Sequence, residues 1–188
     1  MWIFGYGSLV WKADFPYELK LVGHIKGFVR RFWQGSEDHR GVPGQPGRVA
    51  TLIPSGNPEA GVWGLAYKIR KEDVVKVTDY LDYREKDGYE KTLTTFYPQS
   101  SAYQPFKLHV YIGTADNPFY LGPADTRCIA QQVYDAEGPS GKNIEYVFRL
   151  AESMRTIGPE ANDSHLFELE SELRRISLLY EQKPEKPS

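Results

Sequence analysis

The chain has 188 residues, of which 26% are charged and 40% hydrophobic, and this composition is typical of a soluble globular protein with one substantial core. The formal net charge of -2 gives no electrostatic reason to expect nucleic acid or an anionic membrane as a partner. Cys128 is the only cysteine, which excludes an intrachain disulfide and a cysteine-rich metal site and indicates a reducing compartment such as the cytosol.

The first predicted element is a buried strand that starts at Trp2 and runs into a tight turn at Gly5 and Gly7. Glycine has no Cβ, so the backbone can approach a ligand closely and successive N–H groups can converge on an oxygen or a carboxylate. The turn is therefore a candidate anion-binding loop. On these residues alone, an ordinary turn at the end of a strand is the alternative.

The next part of the chain predicts a mainly antiparallel sheet. Residues 21–25 and 28–33 have the composition of strands, whereas residues 34–47 contain so many glycines and prolines that they predict an ordered loop or a lid without regular structure. Residues 48–53 and 61–69 read as two further strands joined by a turn.

The period of the hydrophobic pattern then changes to that of a helix over residues 71–83. Two strands follow, and the remaining third is helical, with stripes that predict core packing; Cys128 lies within one of these helices and is predicted to be a small core residue. The predicted ranges are residues 90–97 and 106–113 for the strands, and 125–137, 144–157 and 166–180 for the helices. We expect one domain over residues 1–182 and a frayed polar tail at 183–188.

Other familiar motifs do not fit this chain. A dinucleotide-binding fingerprint needs a third glycine where Val10 stands, and a nucleophile elbow needs glycines two residues to either side of Ser8. Residues 138–143 resemble a phosphate-binding loop, but Ala136 and Asn143 replace its first glycine and its metal-binding hydroxyl. The four histidines have no ligand-type spacing. We therefore predict no metal and no cofactor, and neither a nucleotide enzyme nor a serine hydrolase.

Charged side chains lie between aromatic ones in residues 81–89, where the predicted helix gives way to a strand. A carboxylate held among Tyr83 and Tyr89 would be partly desolvated, which raises its pKa toward the range that is useful for proton transfer. A solvated helix end is the alternative, since charge runs usually face water.

Several motifs, taken together and in this order, resemble the ChaC-like, glutathione-specific gamma-glutamylcyclotransferases, and the likeness is closest to the short second member of that family. The similarity runs from residue 1 to about residue 157. The motifs are residues 4–11 (FGYGSLVW), 31–36 (RFWQGS), 38–41 (DHRG), 43–44 (PG), 46–48 (PGR), 83–86 (YREK) and 138–143 (GPSGKN).

The resemblance implies an α+β fold, a small mixed, mainly antiparallel β-barrel flanked by helices. It implies a cytosolic enzyme that cleaves glutathione into 5-oxoproline and cysteinylglycine, without a cofactor, a nucleic acid partner or a membrane. The catalytic acid/base of the family corresponds to Glu85. The backbone that holds the gamma-glutamyl group corresponds to Ile3, Phe4, Gly5, Tyr6, Gly7 and Ser8.

Elementary chemistry agrees with this activity, because the α-amine of a gamma-glutamyl amide can reach its own γ-carbonyl and close a five-membered ring. The protein then needs to supply positioning and a proton carrier rather than a covalent nucleophile. An arginine could bind the glycine carboxylate of glutathione. The candidates are Arg30, Arg31, Arg40 and Arg48.

Two other functions stay open at this point. The same fold and reaction could serve other gamma-glutamyl amines or amino acids, and a protein without catalytic activity could use the same cleft to sense a gamma-glutamyl ligand or to hold a partner protein. Nothing in the sequence assigns an oligomeric state.

Overall fold

The computed structural model describes residues 1–85 and 88–182. The polar tail predicted at residues 183–188 and Lys86 of the YREK motif lie outside these residues.

Five strands close into a barrel in the order β1-β5-β2-β6-β7. Strand β1 is antiparallel to β5 and parallel to β7, and the other neighbours are antiparallel. The predicted small, mixed, mainly antiparallel barrel is therefore confirmed. The barrel strands are β1 (Trp2–Gly5), β2 (Leu19–Lys26), β5 (Gly61–Lys68), β6 (Tyr89–Pro98) and β7 (Phe106–Gly113).

Strands β3 (Phe28–Ser36) and β4 (Gly47–Pro54) form a separate two-stranded sheet with a register shift between Arg31 and Gln34. The prediction that residues 34–47 contain no regular structure is wrong at both ends of that range. The last residues of β3 pair with the start of β4, so cross-strand hydrogen bonds outweigh the weak strand preference of glycine. A short hairpin, β8 (Glu137–Gly138) and β9 (Gly141–Lys142), was not predicted.

In the part of the chain that the structure describes, four α-helices flank the sheets: α1 (Val74–Arg84), α2 (Thr126–Asp135), α3 (Asn143–Ile157) and α4 (Ser164–Glu181). Aspartates cap two of them, because the Asp125 side chain accepts from the N–H of Arg127 and the Asp163 side chain accepts from the N–H of Leu166. The predicted α+β class is confirmed. Short 3-10 turns lie at Ser8–Val10, Lys71–Asp73 and Pro159–Ala161.

Alternation along β1 divides its side chains between two hydrophobic clusters. Phe4 joins the larger cluster, to which α2, α3 and α4 contribute their predicted apolar stripes, whereas Ile3 packs with Val77 and Leu81 of α1. This arrangement brings the end of α1 to the end of β1. The prediction that Cys128 lies in the core is wrong, since its side chain is exposed on α2.

Candidate active site

A cavity of about 480 Å³ opens where β1 ends and where α1 ends. Its wall includes Glu85, which directly follows α1, and the turn that follows β1. The segment after β3 and the helix α3 complete the wall. Residues that are distant in the sequence therefore meet at one end of the barrel.

The turn after β1 is narrow because two glycines leave room for neighbouring groups. A Cβ on Gly5 would lie 2.7 Å from Cβ of Leu9, and a Cβ on Gly7 would lie 2.5 Å from the hydroxyl of Tyr146. The 3-10 turn Ser8–Val10 begins at once, and the first N–H groups of a helical turn have no acceptor within that turn. Gly7 and Ser8 line the cavity, so their N–H groups are candidate donors to an anion there.

The predicted substrate-binding residues fall into two groups, those that line the cavity and those that lie behind its wall. Phe4, Tyr6, Gly7 and Ser8 line the cavity. Ile3 is buried against α1 and does not line it, and Gly5 shapes the turn from behind. That all six positions contact a substrate stays a prediction.

Glu85 is the most unusual ionisable group of the cavity, because only 18% of its side chain is exposed. Burial raises the pKa of this carboxyl to about 7 from its ordinary value of 4.5, although nearby Arg84 lowers it and Asp38 raises it. The expectation of a desolvated carboxylate is confirmed, and a solvated helix end is excluded. Of the two flanking tyrosines, only Tyr89 helps to bury the carboxyl of Glu85, because Tyr83 is 71% exposed at the rim of the cavity.

Arg84 connects the carboxylate to the glycine turn. Its Nε lies 3.4 Å from Oε1 of Glu85, and its Nη2 donates to Oγ of Ser8 at 2.5 Å. The guanidinium therefore contacts Glu85 and the candidate substrate loop at the same time, which fixes their relative position.

The buried Tyr111, whose hydroxyl donates to Oδ1 of Asp82, lines the cavity together with three further buried tyrosines. Tyr6 donates to the carbonyl of Tyr111 at 2.7 Å, and Tyr89 donates to the carbonyl of Ala50 at 3.2 Å. The hydroxyl of Tyr146 accepts from the N–H of Ala50 at 3.3 Å. Burial raises the pKa of all three phenols, and the charge of Glu85 raises them further, so they stay protonated at neutral pH.

The structure separates the four arginines proposed for the glycine carboxylate. Arg30 donates to the carbonyls of Tyr6 and Trp63, and Arg48 donates to the carbonyls of Phe32 and Gly122, so both guanidinium groups support the backbone. Neither they nor Arg31 line the cavity, whereas Arg40 does.

Three further cationic residues of the cavity wall escaped sequence reasoning: Lys12, Arg84 and Arg149. Arg149 lies one helical turn after Tyr146 on α3. In the sequence, Arg149 lies next to the apolar stripe of a predicted helix, which indicates a position near the core. This position does not reveal which cavity the helix reaches.

Within residues 1–85 and 88–182, no group of three or more His, Cys, Asp or Glu side chains is placed to hold a metal ion. In the same part of the chain, no helix is long and apolar enough to cross a bilayer.

The fold has a close counterpart among solved structures. A crystal structure titled as the yeast gamma-glutamyl cyclotransferase specific to glutathione matches with a TM-score of 0.87 and 30% sequence identity, and the match covers 93% of this chain and 96% of that chain. The barrel with its cavity therefore defines a gamma-glutamylcyclotransferase-like protein.

Similarity of sequence assigns the chain to one family within the gamma-glutamylcyclotransferase-like proteins. The ChaC-like protein family matches residues 1–176, and the chain belongs to that family. The glutathione-specific gamma-glutamylcyclotransferase 1 of Homo sapiens is 48% identical over 168 residues, which are 88% of this chain and 75% of the human protein. The glutathione-specific gamma-glutamylcyclotransferase of Schizosaccharomyces pombe is 39% identical over 188 residues, with 93% of each chain covered.

Proposed function

We propose that this protein is a glutathione-specific gamma-glutamylcyclotransferase that degrades glutathione to 5-oxoproline and cysteinylglycine. The observation that carries the proposal is the carboxyl of Glu85, buried in the cavity that the glycine turn lines, with a pKa of about 7. Family membership and the names of the relatives support the choice of substrate. The proposed location is the cytosol, where glutathione is kept reduced.

In the proposed reaction, the α-amine of glutathione attacks its own γ-carbonyl carbon. The carboxylate of Glu85 accepts a proton from the amine as the new C–N bond forms. It then donates this proton to the nitrogen of the cysteine as the amide C–N bond breaks, so that 5-oxoproline and cysteinylglycine leave and Glu85 is again ionised. A group with a pKa near 7 suits both transfers, because it accepts and releases a proton at similar cost.

The turn after β1 holds the gamma-glutamyl end in this proposal. N–H groups at Gly7 and Ser8 bind the α-carboxylate or the developing oxyanion, while Phe4 and Tyr6 shape the wall against the aliphatic chain. Ile3 and Gly5 contribute through the backbone that they fix. The reaction is redox-neutral and its nucleophile belongs to the substrate, so the proposal includes no cofactor.

Product analysis tests the proposal directly. Purified protein is incubated with glutathione and, in parallel, with gamma-glutamyl-alanine, and the products are separated by chromatography. We expect 5-oxoproline and cysteinylglycine from glutathione and intact gamma-glutamyl-alanine. Turnover of gamma-glutamyl-alanine alone would show that glutathione is not the substrate. Saturable binding of glutathione without product would show that the protein is a sensor and not an enzyme.

The pH profile of the reaction follows from the environment of Glu85. Burial raises its pKa to about 7, so the carboxylate that must accept the first proton disappears as the pH falls below 7. We expect kcat/KM to fall by about tenfold per pH unit below this value. The measurement is kcat/KM for glutathione between pH 5 and pH 9. A kcat/KM that stays constant down to pH 5 would show that the group is not a buried carboxyl.

Arg84 sets the position of that limb. Its charge lies 3.4 Å from Glu85 and lowers the pKa of the carboxyl, so Arg84→Met is expected to move the acidic limb upward by about one pH unit. Arg84→Lys keeps the positive charge, so the acidic limb of its pH profile is expected to stay near pH 7. It loses the guanidinium N–H that donates to Ser8, so its kcat is expected to fall. Identical profiles for both variants would show that Arg84 does not tune Glu85.

A further inference from the structure

The hydroxyl of Tyr146 differs from those of the other buried tyrosines in the cavity. Tyr6 and Tyr89 both donate their protons to backbone carbonyls, and Tyr111 donates its proton to the carboxylate of Asp82. Tyr146 uses its oxygen to accept from the N–H of Ala50, and within residues 1–85 and 88–182 its own proton has no acceptor at hydrogen-bond distance. Because Tyr146 lines the cavity, a bound ligand can supply the acceptor for this proton.

The position of this hydroxyl identifies the ligand atom. The oxygen lies beside the glycine turn, so close that a Cβ on Gly7 would be 2.5 Å from it. The phenol is also within electrostatic reach of Glu85, whose charge raises the pKa of Tyr146 after the larger effect of burial. The hydroxyl therefore lies beside the loop proposed to hold the gamma-glutamyl group, on the wall of the cavity that Glu85 also lines.

The ring that carries the hydroxyl is held firmly in place. It packs edge-on against Trp11 at a centroid distance of 5.1 Å and against Phe32 at 6.0 Å, and 5% of the residue is exposed. The bond from Ala50 fixes the oxygen and leaves the proton directed elsewhere. A donor that is fixed before the substrate binds stabilises developing charge without a reorganisation cost.

We propose that Tyr146 donates a hydrogen bond from its hydroxyl to the γ-carbonyl oxygen of the substrate and stabilises the negative charge that develops there when the α-amine attacks. This inference rests on the proposed function, because it assigns a catalytic residue for that reaction. Tyr146 keeps its proton throughout, and Glu85 carries out both proton transfers.

The test compares Tyr146→Phe with Tyr67→Phe. Tyr67 is also buried and hydrogen-bonded through its hydroxyl, which donates to the carbonyl of Leu9 at 2.6 Å, but it does not line the cavity. The measurements are kcat and KM for 5-oxoproline release from glutathione, with circular dichroism and thermal unfolding to verify the fold of both variants.

We expect Tyr146→Phe to lower kcat by about 10²- to 10³-fold with little change in KM, because the bond strengthens in the transition state. The loss for Tyr67→Phe is expected to be far smaller. A folded Tyr146→Phe protein with the kcat of the wild type, equal losses in both variants, or a rise in KM alone would overturn the inference. Wild-type protein that releases no 5-oxoproline would instead overturn the proposed function and the inference with it.

Discussion

Replacing Glu85 by glutamine is expected to lower the rate of 5-oxoproline release by about 10²- to 10⁴-fold, the usual contribution of a positioned acid/base. Glutamine keeps the length and nearly the shape of the side chain, so the cavity and the contact with Arg84 change little. It cannot accept a proton from the α-amine at neutral pH. The measurement is the initial rate of 5-oxoproline release at pH 8, where the wild-type carboxyl is ionised.

Glu90→Gln is the matched control, because Glu90 is exposed on β6 and does not line the cavity. It is expected to retain the wild-type rate. A Glu85→Gln protein that is folded and releases 5-oxoproline at the wild-type rate would show that another group carries the proton.

The thermal stability of the Glu85→Gln variant provides a second readout, because the variant is expected to be more stable than the wild type at high pH. The folded-state pKa of Glu85 is raised above its ordinary value, so the folded state is destabilised as the pH rises from about 4.5, where the unfolded chain ionises, through about 7. The buried charge then costs on the order of 3 kcal/mol above pH 7. We expect Glu85→Gln to unfold at a higher temperature than the wild type at pH 8 and at nearly the same temperature at pH 4. Lost activity in a more stable protein cannot be attributed to misfolding.

The strands and helices were largely predictable because their signals are local. Strand β7 occupies Phe106–Gly113, the predicted range, and α3 ends at Ile157, as predicted, because Gly158 follows it with a φ of 135° that suits glycine. Which strands pair is not a local property. Strands β4 and β5 are consecutive, yet β4 pairs with β3, whereas β5 pairs with β1 and β2.

The site was predictable only in part, for a related reason. The glycine turn and the charged segment 81–89 were found from the residues themselves, and the family resemblance singled out Glu85 within that segment. The aromatic residues around Glu85 correctly predicted its raised pKa. Tyr146 was not found, since it stands next to Val147 in a helix whose apolar stripe reads as core. Its hydroxyl reaches the turn near Gly7 only because α3 packs against the start of the chain, a contact over more than 130 residues.

The second large effect is expected at that contact. Gly7→Ala places a Cβ 2.5 Å from the hydroxyl oxygen of Tyr146, which is closer than real Cβ contacts occur. The ring of Tyr146 is packed between Trp11 and Phe32, so the turn has to move instead. We expect a loss of about 1 to 3 kcal/mol in the free energy of unfolding. A displacement of about 1 Å in the loop that positions the substrate is expected to lower kcat/KM by about 10²-fold.

Removing the hydroxyl tests whether this clash is the cause. The next atom of the ring, Cζ, would be 3.8 Å from the new Cβ, which is an ordinary contact. In the Tyr146→Phe background, Gly7→Ala is therefore expected to cost little stability, so the two substitutions couple by about 0.5 to 3 kcal/mol. Urea unfolding of the wild type, both single variants and the double variant measures this coupling. Gly56→Ala is the control, because no atom lies within 4 Å of a Cβ at that position.

Stability and activity are expected to separate in the double variant. It regains the stability that Gly7→Ala removes, because the oxygen is gone, but it lacks the donor that we assign to the γ-carbonyl oxygen. Its kcat should therefore stay as low as that of Tyr146→Phe. Additive losses of stability would show that Gly7 is required for its own backbone rather than for the space beside Tyr146. Recovery of activity together with stability would show that the hydroxyl is dispensable and that the shape of the turn alone governs the rate.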